Sequence, residues 1–268
     1  MDERVQTVRA RIVAACRRCG RDPHSVRLIG VTKGRSSEQV AALLAAGVAE
    51  LGENYIQEAR VKRTQLNASV QRSTPSVQQI RWHLIGHLQR NKATAAVELF
   101  DVIHSVDSPT LATALDRQIA ANPGRSGQPL DVLIQINVSG EAAKSGVTPE
   151  DAPALVQTVR GLPQLRLLGF MTMAPPPAVA PTARRPEGRP PPSAETADGR
   201  VAPAVVNAEM ARPYFRQLRQ LRDAINPRLT ELSMGMSDDF EVAIEEGATM
   251  VRIGRALFET GDRRHETG

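Results

Sequence analysis

The stretch VRLIGVTKG, residues 26–34, joins an apolar, β-branched run directly to a lysine and a glycine. A short apolar run bounded by turn signals predicts a buried strand. Lys33 then stands at the carboxyl end of that strand, where parallel sheets bind their ligands. Burial there would favour the uncharged amine, which is a nucleophile toward carbonyl groups, whereas a solvated lysine at a strand end would carry no chemistry.

Seven further strand-like runs follow, with helical patterns between them. The predicted strands span residues 26–32, 48–52, 80–86, 100–105, 130–138, 165–172, 229–234 and 249–253. Eight strand–helix units in 268 residues favour an α/β fold, a single-domain (β/α)8 TIM barrel, with an extra amino-terminal helix over about residues 2–19. A doubly wound sheet is the alternative, but no GxGxxG pattern follows the first strand.

Proline and glycine mark the expected helix ends. Ser108 before Pro109, and Thr148 before Pro149, each predict an N-cap followed by the first helical residue. Glycines fall where three helices should end, at Gly47, Gly161 and Gly247.

Composition excludes several classes of protein. No apolar run approaches the roughly 20 residues that span a bilayer, and the charged amino-terminal segment lacks a signal-peptide core, so a cytoplasmic protein without membrane contact is expected. The net charge is +5, but the basic residues are scattered and the chain has only one Trp, two Tyr and five Phe, which argues against nucleic-acid binding. Cys16 and Cys19 form a CxxC pair without further soft ligands, so they are expected to be inert thiols.

One segment lacks the large apolar residues of a packed domain. Residues 175–205 are rich in proline, alanine and arginine, which predicts a disordered insertion between the sixth strand and its helix. Residues 261–268 form a polar tail that should fray. The remainder of residues 1–260 is expected to form one domain.

In a barrel, the loops that follow the strands gather on one face. The residues expected there are Lys33, Gly52 to Asn54, His83 to Gln89, Ser105, Asn137, Met171, Thr172, Gly235 to Ser237 and Arg252 to Gly254. Barrels commonly hold phosphate with the loops after strands 7 and 8, where small residues expose backbone amides. Ser237 should donate its hydroxyl there and cap the helix FEVAIEEG, and VRIG followed by RALF supplies more amides.

A nucleophilic lysine facing a phosphate site suggests a ligand with both an aldehyde and a phosphate, which is pyridoxal 5′-phosphate. Arg252 would reach the pyridine nitrogen and, being always protonated, keep that nitrogen unprotonated. The alternative for Arg252 is an ion pair with Asp238, Asp239 or Glu241. Asn54 would bond the ring oxygen, or only shape a strand-end turn.

The histidines predict no metal site. His83 and His87 flank a strand end, where a spacing of four does not place both on one side, and no third ligand is evident. His83 is expected to pack inside the barrel, and His87 to line the mouth or cap the next helix. His24, His104 and His265 carry no pattern.

Seven motifs in order resemble the pyridoxal phosphate homeostasis protein family, single-domain relatives of the alanine racemase N-terminal barrel (fold type III). They are GVTKGRS, LGENYIQEA, WHLIGHLQRNK, IHSVDS, INVSGEAAKSGV, GFMTM and LSMGMSDDFEVAIEEGATMVRIGRALF. The likeness spans residues 26–258. It implies that Lys33 carries the cofactor as a Schiff base, that Asn54 and Arg252 lie against the ring, and that Ser237 and Gly254 bind the phosphate.

The chain departs from this family at two positions. Arg255 stands where relatives have a threonine that meets the phosphate, although an arginine could pair with phosphate electrostatically. Glu259 replaces a glycine near the end of the last motif.

The resemblance implies a monomeric protein that binds pyridoxal phosphate for vitamin B6 homeostasis, with pyridoxal phosphate-dependent apoenzymes as its recipients and no robust catalysis. The alternative is an amino-acid racemase. Racemases of this fold use a second base, a tyrosine from a further domain of a partner subunit. Neither Tyr55 nor Tyr214 is placed to be that base.

Overall fold

Eight parallel strands close into a barrel in sequence order, with β1 paired to β8. This computed structural model describes residues 1–70, 80–125, 127–141, 144–175 and 208–259. The strands are β1 (Arg27–Val31), β2 (Glu50–Glu53), β3 (Arg81–Leu84), β4 (Val102–Val106), β5 (Leu130–Gln135), β6 (Leu165–Met171), β7 (Glu231–Ser233) and β8 (Met250–Ile253). All eight predicted strands are confirmed, with ends displaced by at most three residues.

Helices surround the barrel and follow its strands. Within the described residues they are α1 (Asp2–Arg18), α2 (Ser37–Ala45), α3 (Ile56–Val70), α4 (Ala93–Leu99), α5 (Pro109–Ala120), α6 (Ala152–Arg160), α7 (Ala208–Ile225), α8 (Phe240–Glu245) and α9 (Arg255–Phe258). Short 3-10 helices cover Pro23–Ser25, Arg90–Lys92 and Pro123–Arg125. The predicted extra helix is α1, which packs against α8. None of the described helices is both long and apolar enough to cross a membrane.

Most of the helix ends predicted from caps and glycines in the sequence are found in the structure. The Ser108 hydroxyl accepts the Leu111 N–H at 3.3 Å, which confirms the predicted N-cap of α5. The prediction at Thr148 is wrong, because α6 begins at Ala152. The Thr148 hydroxyl instead accepts the Asp151 N–H at 3.2 Å and closes a turn before the helix. The three expected glycines follow the ends of α2, α6 and α8.

The barrel interior is filled, and its amino-terminal end is closed by charge. Side chains that meet inside it are Ile29, Val102, Leu133, Met171 and Met250. Below them, residues from six strands alternate in sign around the ring: Arg27, Glu50, Arg81, Asp131, Arg166 and Glu231. The ion pair from Arg27 to Glu231 is 2.8 Å long. These ion pairs occupy the amino-terminal end of the barrel, and ligands of such barrels bind at the opposite, carboxyl-terminal end.

Strands β6 and β7 approach each other too closely for a side chain at one position. A Cβ at Gly169 would lie 1.8 Å from the Glu231 carbonyl oxygen. The register between β5 and β6 shifts between Val132 and Leu133, next to this contact. Glycine is therefore required at this position, where the pairing of β6 with its neighbours is irregular.

The predicted insertion (residues 175–205) lies outside the described residues from residue 176 onward, and the predicted tail (261–268) lies outside them entirely. Both remain predictions. Cys16 is buried and Cys19 half-buried, and both are free thiols.

Candidate functional site

Lys33 lies in the turn that follows β1. Ile29 of the same strand points into the barrel, and Lys33 follows the carboxyl-terminal end of that strand, so its position lies at the mouth. The side chain is exposed, and no described residue gives it a hydrogen bond or ion pair. The expectation of a desolvated amine is therefore not met in this structure, whereas the position at the strand end is.

A buried ionic cluster supports the backbone before Lys33. Lys62 Nζ lies 2.7 Å from Glu53 Oε1 and 2.7 Å from Glu58 Oε1, and it also donates to the Thr32 carbonyl. The Thr32 hydroxyl donates to Glu53 at 2.6 Å. Burial raises the pKa of Glu53, against the lowering effect of Lys62. Glu53, expected at the barrel mouth, instead joins β2 to α3.

Arg252 is almost fully buried on β8, with 3% of its surface exposed. Its Nη1 donates to Ser233 Oγ at 2.7 Å and its Nη2 to the Thr172 carbonyl at 2.9 Å. The alternative of an ion pair is wrong, because no carboxylate of the described residues lies within 4.0 Å. Burial lowers the pKa of Arg252 to about 10, so the guanidinium stays charged near neutral pH.

Two histidines meet inside the barrel and one lies at its mouth. His83 is fully buried, as predicted, and its Nδ1 lies 2.9 Å from Nε2 of His104. The sequence analysis did not single out His104. It lies two residues after Val102 on an apolar strand, and it therefore shares the side of that strand that faces the barrel interior. His87 is exposed and its Nδ1 lies 3.4 Å from Asp107. Burial raises the pKa of Asp107, and the nearby His87 opposes that rise.

The loops after β7 and β8 touch. Ser237 Oγ accepts the Ala256 N–H at 3.3 Å. The expectation that Ser237 caps α8 is wrong, because Asp239 occupies the N-cap position and its carboxylate accepts the Met236 N–H at 2.6 Å. Gly254 lies against β1, where an added Cβ would be 3.4 Å from Val31 Cβ.

Arg255, which departs from the family pattern, pairs with Asp238 across the same two loops. Half of the Arg255 side chain remains exposed. The guanidinium is therefore held near Ser237 while keeping access to solvent.

Asn54 is half-buried in the bend after β2. Gly86, after β3, packs directly on its backbone, since a Cβ there would lie 2.4 Å from the Asn54 carbonyl oxygen. A cleft of about 360 Å³ opens beside them, lined also by Tyr55, His87 and Lys92.

The predicted residues converge on one arc of the barrel mouth. Lys33, Asn54, Ser237, Arg252, Gly254 and Arg255 follow or end four strands. Around the barrel these strands are consecutive, in the order β2, β1, β8, β7. An amine, a buried guanidinium and two small-residue loops are thus brought together on that arc.

The chain is similar over most of its length to a known family and to named proteins. The family described as "Alanine racemase, N-terminal domain" matches residues 5–261. A protein of Pseudomonas aeruginosa named "Pyridoxal phosphate homeostasis protein" is 41% identical over 97% of this chain and 95% of its own length. One of the same name from Aquifex aeolicus is 37% identical over 98% of each chain.

Solved structures agree. PipY of Synechococcus elongatus, solved with PLP bound, superposes with a TM-score of 0.70 at 32% identity and covers 96% of this chain and 99% of its own. An alanine racemase of Clostridium difficile, at 15% identity and a TM-score of 0.59, shares the fold, and the match covers 89% of this chain and 54% of the racemase. The chain therefore belongs to the pyridoxal phosphate homeostasis protein family, on a (β/α)8 barrel of the alanine racemase N-terminal type.

Proposed function

We propose that this protein binds pyridoxal 5′-phosphate as a Schiff base on Lys33 and acts in cytoplasmic vitamin B6 homeostasis without robust catalysis of its own. The observation that carries the proposal is the arc on which the mouth position of Lys33, the buried Arg252 and the loops after β7 and β8 adjoin. Lys33 would hold the ligand through its amine, which would join the aldehyde carbon in a C=N bond with the loss of one water.

Arg252 fits the ring nitrogen of such a ligand. Two of its N–H groups are engaged by Ser233 and Thr172, and it forms no ion pair within 4.0 Å among the described residues, although Asp239 acts on its charge from farther away. A permanently protonated donor suits an unprotonated pyridine nitrogen, which accepts a hydrogen bond. Bound pyridoxal phosphate supplies an electron-withdrawing ring, and an arginine at its nitrogen weakens that withdrawal. Arg252 therefore favours holding the cofactor over using it.

The phosphate would lie where the loops after β7 and β8 meet. Ser237 offers a hydroxyl that accepts a 3.3 Å hydrogen bond from the Ala256 N–H. Gly254 allows close approach of its backbone, and Arg255 adds positive charge. Asn54 would bond the ring oxygen. It follows β2 and Arg252 lies on β8, so the two residues stand on either side of Lys33, which follows β1.

The relatives support a binding role. Those named above are pyridoxal phosphate homeostasis proteins, and PipY has been solved with PLP bound. We propose further that the protein is a monomer and that pyridoxal phosphate-dependent apoenzymes receive the cofactor from it. A racemase is the second candidate, and the fold it shares with alanine racemase is its support.

The experiment exploits the small number of lysines. The chain has four: Lys33, Lys62, Lys92 and Lys144. Purified protein is mixed with pyridoxal phosphate, its visible absorption is recorded, and borohydride reduction is followed by peptide mass mapping. We expect a yellow complex labelled on Lys33. Lys33→Ala should lose both signals, while Lys92→Ala, which removes another exposed lysine, should keep them.

Label spread over the other lysines, or retained in Lys33→Ala, would contradict the proposed site. Colourless wild-type protein would contradict cofactor binding itself.

A further inference from the structure

A continuous polar chain crosses the otherwise apolar barrel core. It begins at Arg252 Nη1, which is 2.7 Å from Ser233 Oγ, and Ser233 Oγ is 2.9 Å from His104 Nδ1. His104 Nε2 is 2.9 Å from His83 Nδ1. His83 Nε2 lies 3.1 Å from Glu50 Oε2, an electrostatic contact in which neither atom has a hydrogen-bond partner among the described residues. The chain thus joins the mouth of the barrel to the charged ring at its closed end.

The Arg252 end fixes the direction of the three hydrogen bonds, and the Glu50 carboxylate beside His83 favours the same order. Arg252 has no acceptor atom, so Ser233 Oγ must accept from it and its own hydrogen is left for His104 Nδ1. His104 then carries its proton on Nε2 and donates to His83, whose Nε2 proton faces the Glu50 carboxylate. The reverse order would point a lone pair of His83 at a carboxylate and leave the serine hydrogen without an acceptor among the described residues.

Both histidines are neutral in this arrangement. They are fully buried, and burial lowers the pKa of each. The charges around them are Arg27 and Arg81 at the closed end, Glu50 beside His83, and Arg252 above His104. Three arginines disfavour a further positive charge at these rings.

We propose that Ser233, His104 and His83 form a proton-ordered chain that positions Arg252 as a fixed donor at the ring nitrogen of the cofactor. The chain follows from the structure alone, and only the contact of Arg252 with the ring rests on the proposed function. Ser233 and Thr172 engage separate nitrogens of the guanidinium, which stops its rotation. His104 and His83 act through Ser233, so they are positioning residues.

The first test needs no cofactor. Histidine is labelled with ¹⁵N in the apoprotein, and long-range ¹H–¹⁵N correlation spectra at about pH 7 report the tautomer of each ring. We expect neutral Nε2–H tautomers for His83 and His104. The exposed His87 serves as an internal reference, and His83→Gln, His87→Gln and His104→Gln spectra assign the signals of these three residues. An Nδ1–H tautomer, or a charged ring, at either position would overturn the proton order.

The second test joins the chain to the cofactor. Ser233→Ala removes the link between Arg252 and His104, and Ser105→Ala is the matched control, because Ser105 is equally buried but its hydroxyl has no described partner. Pyridoxal phosphate should shift the His104 signals of the wild type. Ser233→Ala should abolish that shift and weaken cofactor binding by about tenfold, as expected for losing a charged hydrogen bond. Ser105→Ala should do neither.

The outcomes separate the two proposals. If wild-type Lys33 is labelled but the His104 signals stay fixed and both serine variants bind equally, the coupling is wrong and the proposed function stands. If Lys33 is not labelled, the proposed function fails, and the tautomers of the apoprotein still decide the proton order.

Discussion

Arg255 shows how one substitution is accommodated beside a binding site. Its ion pair with Asp238 holds it at the meeting point of the β7 and β8 loops. Both side chains are at least half exposed, so the pair contributes little to folding. The same ion pair means that Asp238 competes with a bound anion for the Arg255 guanidinium.

Asp238→Asn should therefore bind pyridoxal phosphate about threefold more tightly, the gain expected from one solvent-exposed ion pair. The measurement is an absorption titration of the purified protein. Asp223→Asn is the control, because it removes a half-exposed carboxylate that pairs with an arginine, Arg222, on α7 and away from the two loops. Equal affinity in the two variants would mean that Arg255 does not reach the phosphate.

Lys62 is the residue whose loss should disturb the Lys33 turn most. It is buried against Glu53, whose side chain is fully inaccessible. Lys62→Met leaves that carboxylate unpaired, which should lower the free energy of unfolding by about 3 kcal/mol at neutral pH.

The loss should depend on pH. Burial already raises the pKa of Glu53, and without Lys62 it would rise further above its value in the unfolded chain. The folded variant then binds a proton more readily than the unfolded one, so falling pH stabilises it. Urea denaturation should show the gap to wild type shrinking from about pH 8 to about pH 5. Between Glu53→Gln and the Glu53→Gln/Lys62→Met double variant, which both lack the titrating carboxyl, the gap should no longer show this pH dependence.

At the scale of elements, β6 is the strand that tolerates least change. The Glu231 carbonyl occupies the space that a side chain at Gly169 would need. Because the obstacle is backbone of the adjacent strand, it cannot rotate away as a side chain would.

Gly169→Ala should lower the free energy of unfolding by about 3 kcal/mol, or prevent folding. Gly161→Ala is the control, since Gly161 has an ordinary φ of −80° and its nearest contact would be 3.4 Å away. Chemical denaturation should find that control unchanged or slightly stabilised. A mild effect at Gly169 would show that β6 and β7 can separate.

At the largest scale, neither tyrosine of the chain lies in the closed interior of the barrel. Tyr214 lies half-buried on α7, in the outer helical layer. Tyr55 is 63% exposed beside Asn54 and contacts the cleft, not the closed interior. A proton donor in open solvent gives poor control of reaction at the cofactor.

We therefore expect D-amino-acid formation from a panel of L-amino acids to be no faster with the protein than with free pyridoxal phosphate. Chiral chromatography measures the products, with Lys33→Ala and Tyr55→Phe as controls. Sustained turnover that disappears in Tyr55→Phe would favour the racemase.

Much of the fold was predictable because its signals are local. The eight apolar runs, the N-cap Ser108 and the glycines after helices depend on neighbours a few residues away, and the structure keeps them. The prediction at Thr148 was wrong because the same hydroxyl can close a turn or cap a helix. Which of the two occurs depends on where the following residues become helical, and here α6 begins only at Ala152.

The pattern of apolar residues was enough to predict the barrel, the strand end that carries Lys33 and the four strands that bear the predicted site, because the number and order of the strands follow from it. Tertiary structure alone decided the partners of buried charge: Glu53 with Lys62, and Arg252 with Ser233 and the two histidines. Residues up to 129 positions apart meet there. Burial makes each unpaired polar atom costly, so these pairings are set by which side chains the closed barrel brings within hydrogen-bond distance.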